Sequence, residues 1–279
     1  MNVARTFLLM LVLTVLFVLV GGYFAGRQGA IVALAIAAAL NFIMYWMSDK
    51  LVLKRYRAHE VGPGDEPRLY SMVTRLSQQA GLPMPRVFVI PDRSPNAFAT
   101  GRDPKHAAVA ATQGILELLN DDELEGVMAH ELAHVKHRDI LTGTIAATMA
   151  GAIAVIAQMA RFGSYGRNRR GGNAGILLVA IGAPFAAMLI RMAISRVREY
   201  SADRGGSDIS HKPLALASAL GKLQRGVKLA PMAHGNPAHS HMFIVNPFFG
   251  GLQKLFSTHP PVEERIRRLQ EIAREGGMA

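Results

Sequence analysis

The 279-residue sequence contains no cysteine, and its acidic side chains are far fewer than its basic ones. Without cysteine there is no disulfide framework and no thiolate ligand, so any metal site must use histidine, aspartate or glutamate. Lysine and arginine number 31 against 20 aspartates and glutamates, which gives a formal charge of +11. Half of the residues are hydrophobic and the mean hydropathy is +0.20. A soluble globular protein rarely combines positive hydropathy with such a basic balance.

The basic residues lie beside apolar stretches and are not interleaved with aromatic side chains. Nucleic-acid-binding surfaces usually combine the two, so this distribution argues against a nucleic-acid partner. Basic residues that flank apolar segments instead suit contact with anionic lipid. The composition therefore favours a protein whose partner is the lipid bilayer.

Two apolar runs begin the chain, at residues 7–24 and 29–47, with Arg27 in the short turn between them. Each is about long enough to cross the hydrocarbon core at ~1.5 Å per helical residue. A cleaved signal peptide is the alternative for the first run. The second run ends at Trp46, a residue typical of the membrane interface, and favours a transmembrane hairpin. Four basic residues follow the hairpin and predict a cytoplasmic N-terminus and a cytoplasmic chain beyond it: Lys50, Lys54, Arg55 and Arg57.

Two weaker apolar segments occupy residues 140–160 and 174–194. They are rich in alanine and glycine, which suits close packing of membrane helices but also a buried soluble helix pair. Four arginines lie in the loop between them and would violate the positive-inside rule if both segments span the membrane. We expect two spans, with a re-entrant or interfacial hairpin as the alternative.

The rest of the sequence predicts a mainly helical fold with a small β-sheet, an α+β class. Helical spacing covers residues 66–80, strand patterns cover 86–90 and 107–111 with a turn-rich stretch between them, and a capped helix begins at Asn120. Further helices are expected at 191–204, 214–225 and 262–274, with a loop at 231–250. The predicted parts are a transmembrane hairpin (1–47), a cytoplasmic domain (48–139), a second apolar hairpin (140–195) and a C-terminal cytoplasmic part (196–279).

The most informative motif is His130-Glu131-Leu132-Ala133-His134. Residues four apart lie on one helix face, so His130 and His134 can direct two imidazoles at one metal ion. Glu131 then lies beside the water that such an ion activates and can act as its general base. This His-Glu-x-x-His pattern is typical of zinc proteases.

A catalytic zinc usually takes three protein ligands, and Glu199 is the best candidate for the third. Glu199 and Asp203 lie four apart on a predicted helix, so one can bind the metal while the other orients a ligand imidazole. The alternative is that the two carboxylates form a solvated acidic pair that balances the charge of neighbouring arginines. His137 would crowd the helix face of the motif, and we interpret it as a surface or interfacial residue. Three further histidines are expected in a polar loop, with a second metal site as the alternative: His234, His239 and His241.

The motif at 130–134, followed by Asp139 and by Glu-Tyr-Ser-Ala-Asp at 199–203, resembles the HtpX-type integral-membrane zinc metalloproteases. These proteins are relatives of the CAAX prenyl endopeptidases. Pro-Asn-Ala-Phe-Ala-Thr-Gly at 95–101 and Ser-Thr-His-Pro-Pro at 257–261 also match, in the same order along the chain. The resemblance covers nearly the whole sequence.

The resemblance implies a zincin-like (gluzincin) domain with one zinc ion per subunit, bound by His130, His134 and Glu199, and with Glu131 as the base. It implies Asp139, together with Asp203, as support for the ligands. It also implies an inner-membrane enzyme whose site faces the cytoplasm and whose substrates are damaged membrane proteins or peptides. The resemblance alone suggests two residues for oxyanion support, His259 and Arg265.

The peptide substrate must be held extended across the site, and residues 96–100 with the strand at 107–111 could offer a sheet edge for it. The candidate contacts are Asn96, Ala97, Phe98 and Ala99, and an ordinary structural turn is the alternative. A membrane scaffold or transporter with a structural zinc site is the competing function. It is disfavoured because the apolar segments carry no ionisable residue well inside them.

Overall fold

The computed structural model describes residues 2–143, 145, 196–230, 244 and 260–277. Its helices are α1 (Asn2–Arg55), α2 (Pro67–Ala80), α3 (Gln113–Leu118), α4 (Asp121–Lys136), α5 (Arg196–Ser210), α6 (Pro213–Leu229) and α7 (Val262–Glu275). Its strands are β1 (His59–Glu60), β2 (Arg86–Ile90), β3 (Ala97–Gly101) and β4 (Ala107–Thr112). Most of the second apolar hairpin, the histidine-rich loop and His259 lie outside the described residues. The prediction of a mainly helical chain with a small sheet is confirmed.

The four strands form one mixed sheet in the order β1-β2-β4-β3. Strands β2 and β4 are parallel, whereas β1 and β3 run antiparallel to their neighbours. Successive side chains of a strand point to opposite faces of the sheet, and both faces of this sheet are buried. On one face Val87 and Val109 join the core with α2 and α4, and on the other Phe88 and Ala110 pack against the end of α1.

Strand β3 corrects the expectation of a turn-rich stretch between the two predicted strands. Its sequence, Ala-Phe-Ala-Thr-Gly, has few residues that favour strands, so local propensity gave little signal. Pairing with β4 over all five residues and full burial supply the stabilisation that propensity does not. Strand β3 lies at the edge of the sheet built by the described residues.

Helix α1 consists of two apolar arms joined at a break. Ala25 and Gly26 leave helical geometry there, and Gly26 takes a φ of 59°, which glycine accepts without strain. The segment Ala25–Arg55 is long and apolar enough to cross a membrane, whereas the first arm contains only a shorter apolar helix, Thr6–Leu19. The two arms contact each other, since the Asn41 side chain donates a 2.9 Å hydrogen bond to the Thr14 hydroxyl.

Beyond its apolar part, α1 continues to Arg55 and packs beside the sheet. Val52, Leu53 and Tyr56 are buried against the sheet, and the Tyr56 ring lies 5.9 Å from that of Phe98. The predicted span ends at residue 47, and the apolar pattern of the sequence does not indicate this contact. The last turns of α1 therefore form the second layer on one face of the sheet.

Helix α4 runs through the centre of the helical layer and is buried over most of its length. Its start is the predicted one: the Asn120 side chain accepts a hydrogen bond from the Glu123 backbone N–H, and the Glu123 carboxylate binds the Asn120 N–H in return. This capping box satisfies amide groups that the helix itself cannot. Helices α2, α5 and α6 pack around α4, so the histidine motif is held from three sides.

Candidate metal centre

His130 and His134 project from the same face of α4, one turn apart. Their ring centroids lie 4.8 Å apart and the rings are nearly perpendicular, at 88°. His130 is fully buried, while His134 keeps about 16% of its side chain exposed. The two imidazoles therefore lie close together at the boundary between the buried interior and the partly exposed surface.

Glu199 of α5 completes a triangle with these histidines. Its carboxylate oxygens lie 3.9 Å from Nε2 of His130 and 3.6 Å from Nε2 of His134. One ligand atom from each of the three residues lies within 4.8 Å of the others. Two ligands about 2.0–2.1 Å from a tetrahedral ion would be separated by ~3.3 Å, so this donor set is close to the spacing that zinc requires.

A carboxylate binds the far nitrogen of each imidazole. Asp203 lies 3.0 Å from Nδ1 of His130, and Asp139 lies 3.3 Å from Nδ1 of His134. Such partners keep the proton on Nδ1 and leave the lone pair of Nε2 available for a metal. Both histidines thus present Nε2 toward Glu199, as a metal centre requires.

The two histidines have opposite pKa shifts because their surroundings differ. Burial lowers the pKa of His130, with the positive charge of Arg265 acting in the same direction and Asp203 opposing it. Burial also acts to lower the pKa of His134, but the carboxylates of Asp139 and Glu199 outweigh it and raise that pKa.

Arg265 of α7 is buried behind the triangle. Its guanidinium donates hydrogen bonds of 2.6 and 2.9 Å to Asp203, donates another of 3.2 Å to the carbonyl of Ile244, and lies 3.5 Å from a Glu199 oxygen. These contacts compensate its buried charge. They hold the guanidinium in place, and the oxyanion support that the resemblance implies for Arg265 stays a prediction.

Glu131 lies beside the edge of β3 that does not pair with β4. The backbone N–H of Ala99 donates a 2.9 Å hydrogen bond to Oε2 of Glu131 and so fixes the carboxylate beside the sheet edge. Burial raises the pKa of Glu131 to about 7, with the negative charge of Glu199 adding to the effect and His134 opposing it. A carboxylate with a pKa near neutrality is well matched to taking and returning a proton. Sequence reasoning identified Glu131 but not the Ala99 bond that holds it.

The other candidate substrate residues are buried and make structural contacts. The Asn96 side chain accepts hydrogen bonds from the backbone N–H groups of Ala97 and Ile244. Phe98 points into the core beneath α1. Any contact of these residues with a substrate would therefore come from the backbone of β3, and its strand geometry is suited to such pairing.

Two glycines that the sequence analysis passed over allow α5 to approach α4. A Cβ on Gly206 would lie 2.8 Å from the backbone nitrogen of His130, and one on Gly205 would lie 3.1 Å from the Ala133 side chain. Glycine inside a helical pattern is a usual sign of close packing, so the pair was a usable signal. This close approach accompanies the short distances from Glu199 of α5 to the histidines of α4. His137, at the end of α4, is half-buried beside Gly205.

The family model for Peptidase family M48 matches residues 63–273. The chain belongs to peptidase family M48. Proteins named Protease HtpX homolog from Thermococcus kodakarensis and Syntrophotalea carbinolica are each 56% identical to it over 98% of this chain, and over 97% and 99% of their own lengths. A third, from Campylobacter curvus, is 53% identical over 98% of both chains.

The crystal structure of S. mikatae Ste24p has a similar fold, with a TM-score of 0.52 at 17% identity. The alignment covers 93% of this chain and 62% of the Ste24p chain. At this identity the likeness concerns the fold alone.

Membership of the M48 family makes the chain a metalloprotease, a hydrolase of peptide bonds, and confirms that prediction. The alternative of a non-proteolytic scaffold or transporter is set aside on the same grounds. Family membership and the long apolar helix together support a membrane metalloprotease.

Proposed function

We propose that the chain is a zinc-dependent endopeptidase of the cell inner membrane that cleaves damaged or misfolded membrane proteins on the cytoplasmic side. The observation that carries the proposal is the convergence of His130, His134 and Glu199, with Glu131 held next to them at a sheet edge. Two imidazoles and one carboxylate are the ligand set of a zinc ion that keeps one position open for catalysis.

The residues around this site have distinct roles in hydrolysis. When bound, zinc lowers the pKa of water and polarises the scissile carbonyl. Glu131 accepts a proton from the attacking water and delivers it to the leaving amine. The Ala99 N–H keeps the Glu131 carboxylate in place, while Asp203 and Asp139 keep the imidazoles oriented.

The membrane location rests on α1 and on the charges that follow its apolar part. Ala25–Arg55 has a mean hydropathy of 2.1 over its most apolar window, and only 17% of that window is buried inside the protein. An apolar surface of this size needs lipid or another apolar partner around it. The basic residues from Lys50 to Arg57 favour a cytoplasmic position for the catalytic part.

The proposed substrate class is supported by the position of β3 at the edge of the sheet that the described residues form. A segment can add to that edge only if its own backbone groups are unpaired. Folded membrane helices satisfy their backbone groups internally, whereas a misfolded or damaged segment leaves them exposed. The site is thus suited to unfolded parts of membrane proteins.

The test compares the wild-type protein with Glu131→Gln after purification in detergent and loading with zinc. Glutamine keeps the volume and the Ala99 hydrogen bond but cannot accept a proton. We expect peptide hydrolysis to fall by at least about 100-fold, the usual lower bound of a general-base contribution. Bound zinc, measured by atomic emission, should remain at one ion per chain.

A matched control is Glu117→Gln, since Glu117 is an exposed glutamate on the neighbouring helix α3. It should leave both zinc content and hydrolysis unchanged. Loss of zinc from Glu131→Gln, with activity restored by added zinc, would make Glu131 a metal ligand and overturn the proposed mechanism. Failure of the active enzyme to cleave any unfolded membrane protein in liposomes would overturn the proposed substrate class.

A further inference from the structure

Strand β3 and the end of α1 are attached to each other at two points. At one end of the strand, the Phe98 ring packs 5.9 Å from the ring of Tyr56. Just beyond the other end, the guanidinium of Arg102 lies 4.6 Å above the ring of Trp46. Such a stacked cation–aromatic contact is attractive, and more so where water is partly excluded.

These two contacts define the direction of β3 relative to α1. Trp46 lies in α1 and Tyr56 directly follows its last residue, Arg55, so the two are separated by ~15 Å along the helix axis. Phe98 and Arg102 are four residues apart on nearly extended chain, or ~13 Å. The two lengths agree, so β3 runs alongside α1 and points from the Tyr56 end toward the Trp46 end.

Trp46 also marks where the apolar part of α1 ends. The helix is apolar up to Met47, and Lys50 and Lys54 follow. A tryptophan at this position is typical of the membrane–water interface. Where α1 spans the membrane, the carboxyl end of β3 at Arg102 therefore lies at the membrane surface, and β3 runs beside the part of α1 that leaves the membrane.

The catalytic residues face a fixed point on this strand. The Ala99 N–H donates to the Glu131 carboxylate, so the edge of β3 that does not pair with β4 lies beside this catalytic residue at Ala99. Ala99 is three residues from Arg102, which corresponds to ~10 Å of extended chain. A further ion pair, 3.2 Å between Arg86 of β2 and Asp49 of α1, fixes the sheet to the same helix.

We infer that α1 and β3 together set a fixed height above the membrane and limit cleavage to peptide bonds roughly three to six residues outside the bilayer. The inference rests on the proposed function, because it assumes that α1 spans the membrane and that substrates pair with β3. It adds a substrate rule: the position of the bond relative to the membrane matters more than its sequence. Trp46 and Arg102 determine that position without touching the reacting atoms.

The experiment uses the full-length zinc-loaded protein in liposomes with a single-span substrate. The substrate carries a C-terminal tail of 40 residues built from one short repeated sequence. The same peptide bonds then recur along the tail, so that none is preferred because of its sequence. A C-terminal tail runs away from the membrane and can pair antiparallel with β3, the more stable arrangement. Mass spectrometry of the products gives the distance of every cut from the membrane.

For the wild-type protein we expect most cuts within about six residues of the span. Arg102→Ala and Trp46→Ala should spread the cuts over at least twice that range. Hydrolysis of a soluble peptide in detergent should stay within about twofold of wild type, since neither side chain contacts the metal site. Lys54→Ala removes an exposed cation from the same helix end and should leave the distribution unchanged.

Cuts spread evenly along the tail by the wild-type protein would overturn the inference while leaving the proposed protease function intact. An unchanged distribution in both Arg102→Ala and Trp46→Ala would overturn the role of this contact. If the enzyme hydrolyses the soluble peptide but never cuts the tail, the proposed substrate class fails and the distance rule fails with it.

Discussion

The carboxylate of Asp203 lies 3.0 Å from Nδ1 of His130 and at the same time accepts two hydrogen bonds from Arg265. The three groups are buried and come from three different helices, α5, α4 and α7. Arg265 helps to keep Asp203 ionised, since its positive charge and hydrogen bonds hold the pKa of Asp203 low although burial opposes this. An ionised Asp203 in turn fixes the tautomer and orientation of His130.

Asp203→Asn should therefore weaken zinc binding. An amide has no charge to hold the His130 proton on Nδ1 and leaves Arg265 without its main partner. We expect zinc affinity, measured by competition with a chelator, to fall about 10- to 100-fold, the usual effect of losing such a partner. Asp208→Asn, an exposed change on the same helix, is the control and should leave the affinity as it is. Equal affinities for the two variants would contradict the role assigned to Asp203.

Gly206→Ala should separate α5 from α4. The new Cβ would lie 2.8 Å from the backbone nitrogen of His130, and backbone cannot move aside as a side-chain tip can. Overpacking of this kind costs about 1–3 kcal/mol, so we expect a lower Tm and weaker zinc binding. Gly221→Ala in α6 is the matched control, because its nearest neighbour would be 3.8 Å away. If Gly206→Ala is as stable as this control, the close approach is not what positions Glu199.

Much of the catalytic helix and its cap could be predicted because the signals are local. The capping pair Asn120 and Glu123, the strand at Arg86–Ile90 and the i, i+4 histidines each depend on residues close in sequence. The candidate third ligand, Glu199, was found because the motif lacked an acidic partner. Its assignment as a ligand stays a prediction, supported by the distances to both histidines.

The sequence did not predict contacts between segments that lie far apart along the chain and whose residue pattern fits more than one structure. Strand β3 is made of residues with weak strand preference, and only pairing with β4 makes it a strand. The contact between Tyr56 and Phe98 could not be predicted either. The apolar sequence at the end of a helix is the same whether that end contacts lipid or packs against a sheet. The orientation of the edge strand along α1 follows only from these long-range contacts.

Stability should fall in mild acid through Glu125 of α4. Burial opposes ionisation of Glu125, but hydrogen bonds from Arg75 and Lys212, both 2.8 Å, outweigh it and lower its pKa. A lowered folded-state pKa contributes stability that is complete above the ordinary value of 4.5 and is lost as the pH falls through the folded value. Thermal unfolding followed by circular dichroism should thus show a Tm that drops below about pH 4.5.

Glu125→Gln should lower stability at pH 7 by about 1–2 kcal/mol and flatten this acid dependence. The cost is moderate because Arg75 and Lys212 are partly exposed and can turn to water. Exposed Glu117→Gln, tested alongside, should keep the wild-type profile. An acid drop in Tm of equal size in Glu125→Gln and wild type would assign the effect to other carboxylates.

The last prediction concerns the side of the membrane on which the second apolar hairpin turns. Glu199 follows that hairpin and lies beside His134, which precedes it, so both ends of the hairpin must be on one side. Two spans would then put Ser164, in the intervening loop, on the opposite side, despite the arginines there. The chain has no cysteine, so Ser164→Cys is a unique label site. In intact cells a membrane-impermeant maleimide should react with it.

The control is Ser71→Cys, on an exposed position of α2, which should react only after the membrane is opened. Reaction of Ser164→Cys only after opening would leave the catalytic part where the basic flank of α1 predicts it, but would make the second hairpin a re-entrant element. Reaction of Ser71→Cys in intact cells would reverse the whole topology, because Ser71 belongs to the same packed domain as His130. The two labels together therefore separate an error in the hairpin from an error in the orientation of the enzyme.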